Sequence, residues 1–307
     1  MEAVMEEYRS CHLCPHACSV DRTGGAVGLC RAEATPRVAH VMLHAWEEPC
    51  ISGKNGSGTV FFSGCPLGCV YCQNHKISRG YIGAEYSVQQ LSDLFLSLEE
   101  RGAHNVNLVT ATHHIPHVAA AIRDAKGRGL SVPIVYNTSG YETKASLGEL
   151  CGLVDIYLTD VRYHNASTAE KYSGAPDYPG VAMEALSLMV KQVGKPKLSE
   201  DGLMQKGVIV RLLLLPGHLI EAKQILRDVY RTHGDDLYIS LMSQYTPTER
   251  VKEKFPALAR PVSPYEYASL VEYASSLGVR FAFTQEGSAA SESFIPPFSA
   301  EKLGKSL

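Results

Sequence analysis

VFFSGCPLGCVYCQN, residues 60–74, sets the reading of the whole chain. A short β-branched and aromatic run passes, at Ser63 and Gly64, into a loop carrying Cys65, Cys69 and Cys72. An apolar run of this length suits a strand buried on both faces, and Pro66 and Gly68 permit the loop to wrap tightly. Outward from it, further strand candidates recur at 106–110, 132–136, 154–159, 208–214, 237–241 and 280–283, with the first at 59–63. Helical runs alternate with them. Ser87 suits an N-cap before Leu91, Leu94, Phe95 and Leu98 at i, i+3, i+4, i+7 spacing, and later runs cover 115–126, 178–193, 220–231 and 264–277. Alternating β and α runs predict parallel strands joined by crossovers, hence an α/β fold: a full or partial TIM-type (β/α) barrel. Residues 1–50 lack the alternation and form a small N-terminal cysteine-rich module, which leaves 51–307 as the barrel domain. Residues 195–207 (KPKLSEDGLMQKG) read as an exposed loop.

With 45% hydrophobic residues, the 307-residue chain can build an ordinary globular core. The 29 basic and 32 acidic side chains are well mixed, so no basic cluster offers a grip on nucleic acid. Residues 1–9 lack the basic start and apolar stretch of a secretory signal, and no segment nears the ~18–20 apolar residues of a membrane span. The expected location is the cytoplasm. There, clustered cysteines point to metal binding rather than to disulfides, and eight of the nine cysteines precede residue 73.

Three thiolates in one loop can ligate three irons of a [4Fe–4S] cluster and leave the fourth open. An open iron can chelate the amino and carboxylate groups of S-adenosylmethionine (SAM). The alternative is three buried or zinc-binding cysteines, but a closed zinc site takes four ligands.

Cys-x3-Cys-x2-Cys with Tyr71 before the last cysteine resembles the signature of the radical SAM superfamily. GCPLGCVYCQN is similar to the cluster loop of pyruvate formate-lyase activating enzyme and other glycyl-radical-enzyme activases. The likeness extends from Cys11 to about Phe298 through CHLCPHAC, WEEPCISG, GSGTVFFSGC, GAHNVNLVTATHH, PIVYNTSGY, DIYLTDVRY and ISLMSQYTPT. It implies a radical SAM oxidoreductase that cleaves SAM reductively to a 5′-deoxyadenosyl radical. It also implies a reductant such as flavodoxin or ferredoxin, and Tyr71 beside the cofactor. Two departures stand out. Similar sequences end DIYLTD with Phe-Lys, where this chain has Val161 and Arg162, and the Gly-Gly-Glu segment that holds the SAM amino group is absent.

In barrel enzymes the functional side chains lie at the C-terminal ends of strands. Thr110 and Thr112 then stand where the Gly-Gly-Glu segment would be. Asn137, Thr138 and Ser139 offer hydrogen bonds to a ribose or a carboxylate, and Asp160 and Arg162 resemble the acid and base that hold SAM in activases. Arg211, inside the apolar VIVRLLLLPG, needs a partner: the SAM carboxylate, or an internal acid such as Asp160 or Asp155. His113 and His114 read as structural or substrate-contacting, and Gln244 and Gln285 as substrate contacts.

Cys11, Cys14, Cys18 and Cys30 supply four more thiolates, for structural Zn²⁺ or a second iron–sulfur cluster. Three cysteines within eight residues and a proline after Cys14 resemble ferredoxin-type loops and favour [4Fe–4S]. Cys50 and Cys151 read as small buried hydrophobes.

The leading functional expectation is hydrogen abstraction from a protein or peptide. A small-molecule substrate is the second reading, and a non-catalytic metal or iron–sulfur protein the third.

Overall fold

The computed structural model describes residues 2–80 and 82–285. The end of the 51–307 domain, and of the likeness running to Phe298, lies outside the described residues. Among the described residues there are ten strands: β1 (Arg37–His44), β2 (Ser57–Phe62), β3 (Ala84–Glu85), β4 (Val106–Val109), β5 (Ile134–Thr138), β6 (Ile156–Asp160), β7 (Lys197–Leu198), β8 (Met204–Leu213), β9 (Tyr238–Met242) and β10 (Ala282–Phe283). Their order is β10-β9-β8-β6-β5-β4-β2-β1-β3, with β7 paired to β8. The seven strands from β2 to β10 in this order pair in parallel. The free edge of β2 is taken by β1, which runs antiparallel to it, and β3 follows on β1. Among the described residues no pairing joins β10 to the other edge, so the sheet is a partial barrel.

Strand residues alternate between two cores, as the pleat requires. Tyr136, Tyr157, Val208 and Val210 face the helices, while Val135, Ile156, Leu158 and Ile209 turn inward. Cys50 and Ile51, on the short helix Pro49–Ser52, fill that inner space.

The helices follow the expected periodicity. Ser87 caps Val88–Glu100 in a full capping box with Gln90, and Leu91, Leu94, Phe95 and Leu98 are its buried face. The helix Tyr178–Val193 has the limits read from sequence.

Three expectations are corrected. Residues 37–44, assigned to the N-terminal module, are a strand of the main sheet. Residues 195–207 are not all loop: Lys197–Leu198 folds back on β8 as a hairpin at its N-terminal end. Cys151, expected inside, is exposed, whereas Cys50 is buried.

Residues 2–36 cap the barrel. Asp21 accepts from the amides of Thr23 and Gly24 and starts a turn that buries Arg22 completely. The Arg22 guanidinium donates to the carbonyls of Ala32 (2.9 Å), Glu33 (2.6 Å) and His113 (2.7 Å), and to Cys11 Sγ (3.6 Å). It also lies 4.7 Å from the centre of the Tyr8 ring. A buried cation needs such saturation, and four of its contacts are with atoms that carry negative charge or partial charge.

Candidate active site

One cavity of about 400 Å³ opens at the C-terminal ends of the parallel strands. Each strand contributes: Phe62 from β2, Val109 and Thr110 from β4, Asn137 to Ser139 from β5, Asp160 and Arg162 from β6, Arg211 and Leu213 from β8, Ser240 and Met242 from β9, and Phe283 from β10. The cysteine loop follows β2 and forms one wall with Cys65, Cys69, Tyr71 and Cys72. The three cysteines lie close enough to perturb each other's charge. Burial pushes the Cys65 thiol up to about 12 and the Cys72 thiol up as well, with their cysteine neighbours adding to the rise.

The loop is shaped by two glycines. Gly68 has φ +58°, and a Cβ there would enter the Arg79 guanidinium, which packs across it and donates to the Leu29 carbonyl (2.7 Å). A Cβ at Gly64 would lie 2.6 Å from the carbonyl oxygen of Cys30. The amide of Cys65 donates to that same carbonyl (3.2 Å), and the His16 ring donates to the Pro66 carbonyl (3.1 Å), so the cap and the cysteine loop are stitched together.

Donors converge on the sulfurs. Ser173 Oγ lies 2.9 Å and Arg162 Nη1 3.8 Å from Cys69 Sγ, and Ser78 Oγ lies 3.7 Å from Cys72 Sγ. Arg162 is ion-paired with Asp160.

The other expected residues divide. Thr110, Asn137 and Ser139 line the cavity beside Asp160 and Arg162, and Thr110 holds a left-handed backbone (φ +60°). Thr112 does not line it. It enters a short 3-10 turn, Thr112–His114, that turns its hydroxyl inward to Glu142 (2.7 Å). Thr138 and Tyr136 bond the same carboxyl, which burial raises to about 7. Tyr71 lines the cavity, and its hydroxyl lies 2.7 Å from the Tyr163 hydroxyl.

Arg211 has an internal ion pair, but with Glu47 and Glu48, not Asp160 or Asp155. Asp155 pairs with Lys126. Glu47 and Glu48 enter the cavity floor from the segment after β1, and Asn107 donates to Glu47 (3.0 Å). These two acids were missed because some 160 residues separate them from Arg211 in the sequence. The only cue was the rule that a charge in an apolar strand has a partner.

His113 is buried, bonded through Nε2 to the Ser63 carbonyl (2.7 Å) and held neutral, with burial lowering it to about 3. Neither His113 nor His114 lines the cavity. Gln244 and Gln285 do, joined to each other at 3.2 Å.

In the cap, Cys11, Cys14, Cys18 and Cys30 fold together. Burial raises Cys14 to about 12, with the charges of Cys30, Cys11 and Cys18 contributing. A Cβ at Gly28 would lie 2.5 Å from Cys18 Sγ. Among the described residues, no group of three or more His, Cys, Asp or Glu side chains forms a ready site for a single metal ion.

The pattern of the radical SAM superfamily matches residues 59–229, over half of the 307, and the chain belongs to that superfamily. It is similar to an uncharacterised protein of Methanocaldococcus jannaschii, 27% identical over 281 residues, which cover 89% of this chain and 77% of that one. Among solved structures, it is similar to methylornithine synthase (TM-score 0.48, 14% identity, 71% of this chain and 60% of that one). It is likewise similar to Streptococcus suis SuiB bound to precursor peptide SuiA (TM-score 0.46, 10% identity, 73% of this chain and 46% of that one). The chain thus spans less than two thirds of either solved protein.

Membership implies SAM and a [4Fe–4S] cluster, and the donor set fits them. Cys65, Cys69 and Cys72 are three soft ligands on one wall, in a loop whose glycines leave no room for side chains. Thr110, Asn137, Ser139, Asp160 and Arg162 face them with the hydrogen-bonding groups a nucleoside and an amino acid require. Among the described residues no helix is long and apolar enough to cross a membrane.

Proposed function

We propose that this protein cleaves SAM reductively and uses the resulting 5′-deoxyadenosyl radical to take a hydrogen atom from a protein or peptide, in the manner of a glycyl-radical-enzyme activase. The supporting observation is the convergence of Cys65, Cys69 and Cys72 with the ends of seven parallel strands on one cavity. The GCPLGCVYCQN loop and the Asp160–Arg162 pair are the activase-like features.

In this reading the three cysteines hold the cluster, which supplies one electron to SAM. The protein binds, orients and excludes water. Asp160 and Arg162 lie where an acid and a base can hold the polar ends of SAM, with Asn137 and Ser139 beside them. Thr110 substitutes for the missing Gly-Gly-Glu segment. Arg211, saturated by Glu47 and Glu48, shapes the floor. The four cap cysteines hold a second metal centre, [4Fe–4S] in preference to zinc, and a flavodoxin- or ferredoxin-type protein is the electron donor in the cytoplasm.

A small-molecule substrate would require a mouth closed by residues 195–207. That hairpin precedes β8 and lies at the opposite end of the strands, and none of its residues lines the cavity. This favours the peptide reading.

Anaerobic reconstitution with iron, sulfide, dithionite and SAM tests the proposal, with 5′-deoxyadenosine as the expected product. About eight irons per chain are expected for two clusters, and about four irons with one zinc would reassign the cap. Absence of 5′-deoxyadenosine from iron-loaded protein would sink the reading.

A further inference from the structure

The donors around the three cysteines are unequal. Cys69 alone receives both a hydroxyl and a guanidinium: Ser173 Oγ at 2.9 Å and Arg162 Nη1 at 3.8 Å. Ser173 is in turn 2.6 Å from the Tyr163 hydroxyl, and Tyr163 is 2.7 Å from the Tyr71 hydroxyl. All three hydroxyl-bearing residues are buried, and the Arg162 guanidinium faces the Tyr71 end. The row runs Tyr71, Tyr163, Ser173, Cys69, with one cation at its head and its tail.

Metal ligation fixes the sense of every proton in this row. A cysteine sulfur bound to iron has no proton and can only accept. The Ser173 hydroxyl must therefore donate to it. Ser173 then has only acceptor capacity for Tyr163, which must donate to Ser173, and Tyr71 must donate to Tyr163. Each bond polarises the next, and the cation beside Tyr71 polarises them all in the same direction.

We propose that Ser173, aligned by Tyr163 and Tyr71, is a positioning residue that raises the reduction potential of the cluster through Cys69. The inference rests on the cluster reading of Cys65, Cys69 and Cys72. Its physical basis is that reduction adds negative charge to the cluster and its thiolates. A hydrogen bond to sulfur grows stronger as that charge increases and so favours the reduced form. Cys72 receives the Asn74 amide and a long contact from Ser78 (3.7 Å), and Cys65 the amides of Gly68 and Leu67, so Cys69 is the ligand reached by a row of side-chain hydroxyls.

The test is an anaerobic redox titration of the reconstituted full chain without SAM, followed by electron paramagnetic resonance at matched iron content. Ser173→Ala is expected to make the cluster about tenfold harder to reduce, a shift of about 59 mV for one electron. Tyr163→Phe shifts it the same way by less, and Tyr71→Phe by less again, because each cuts the row farther from the sulfur. Ser173→Thr restores the hydroxyl and the wild-type potential.

Equal potentials for Ser173→Ala and the wild type overturn the inference, as does a reversed order among the three variants. If Ser173→Ala does not retain iron, Tyr163→Phe against Ser173→Thr decides, and equal potentials there overturn it too. No cluster in wild-type protein overturns both this inference and the proposed function. A cluster whose potential ignores these variants, in a protein that still forms 5′-deoxyadenosine, overturns this inference alone.

Discussion

The cap and the barrel each gather cysteines, and they support them by different means. Cys65, Cys69 and Cys72 follow a strand fixed by neighbours on both sides, β1 and β4. Cys11, Cys14, Cys18 and Cys30 lie in loops with one short turn, held largely by the buried Arg22. The two regions also treat buried charge oppositely. Arg22 is ringed by carbonyls, whereas the buried Glu142 of the barrel is bonded by hydroxyls and pushed towards neutrality by burial. In the cap the cation sits among carbonyls, whereas the charges that line the barrel cavity, Arg162 and Arg211, are each paired with acids.

The strongest challenge to this contrast is cysteine replacement. Cys65→Ala should lower 5′-deoxyadenosine formation on the order of a thousandfold. Cys11→Ala should empty the cap of metal, leave the iron of the barrel loop in place, and lower activity by about tenfold or less. Parallel loss of iron from both loops in metal analysis of Cys11→Ala would break the contrast.

Arg22→Met comes next. It orphans three carbonyls in the interior, so a destabilisation of about 3–5 kcal/mol is expected by urea unfolding. A change within about 0.5 kcal/mol would show that Arg22 is no keystone.

Glu142→Gln sharpens the barrel side through pH. The carboxyl titrates near 7 in the folded chain and near its ordinary 4.5 when unfolded. The folded form therefore binds more protons between these values, and stability falls as pH rises from 4.5 to 7, then levels off. The loss amounts to about 3 kcal/mol. Glu142→Gln cannot ionise and should lack that decline, so urea midpoints at pH 5 and pH 8 should converge relative to the wild type. Identical pH profiles for the two proteins would remove Glu142 as the cause.

The barrel was largely legible because local period and burial agree. The apolar runs became parallel strands, the Ser87 cap formed, and the cysteine loop emerged where the strand ends. What stayed hidden depends on distant partners. RVAHVMLH at 37–44 pairs antiparallel, outside the βα repeat, and so was grouped with the cap. Thr112 lies two residues from a strand end, but its turn directs it to Glu142. Tyr163 and Ser173 have no periodic signal at all. Ser173 reaches Cys69, and Tyr163 reaches Ser173, only through the tertiary fold of the segment after β6.

The hydrogen bond from the Cys65 amide to the Cys30 carbonyl joins two loops that each need ordering. Ordering either one removes part of the entropy cost of ordering the other, and such coupling is reciprocal. Ordering of the two loops is therefore coupled. Whatever steadies the cap therefore also steadies one wall of the cavity, and the reverse.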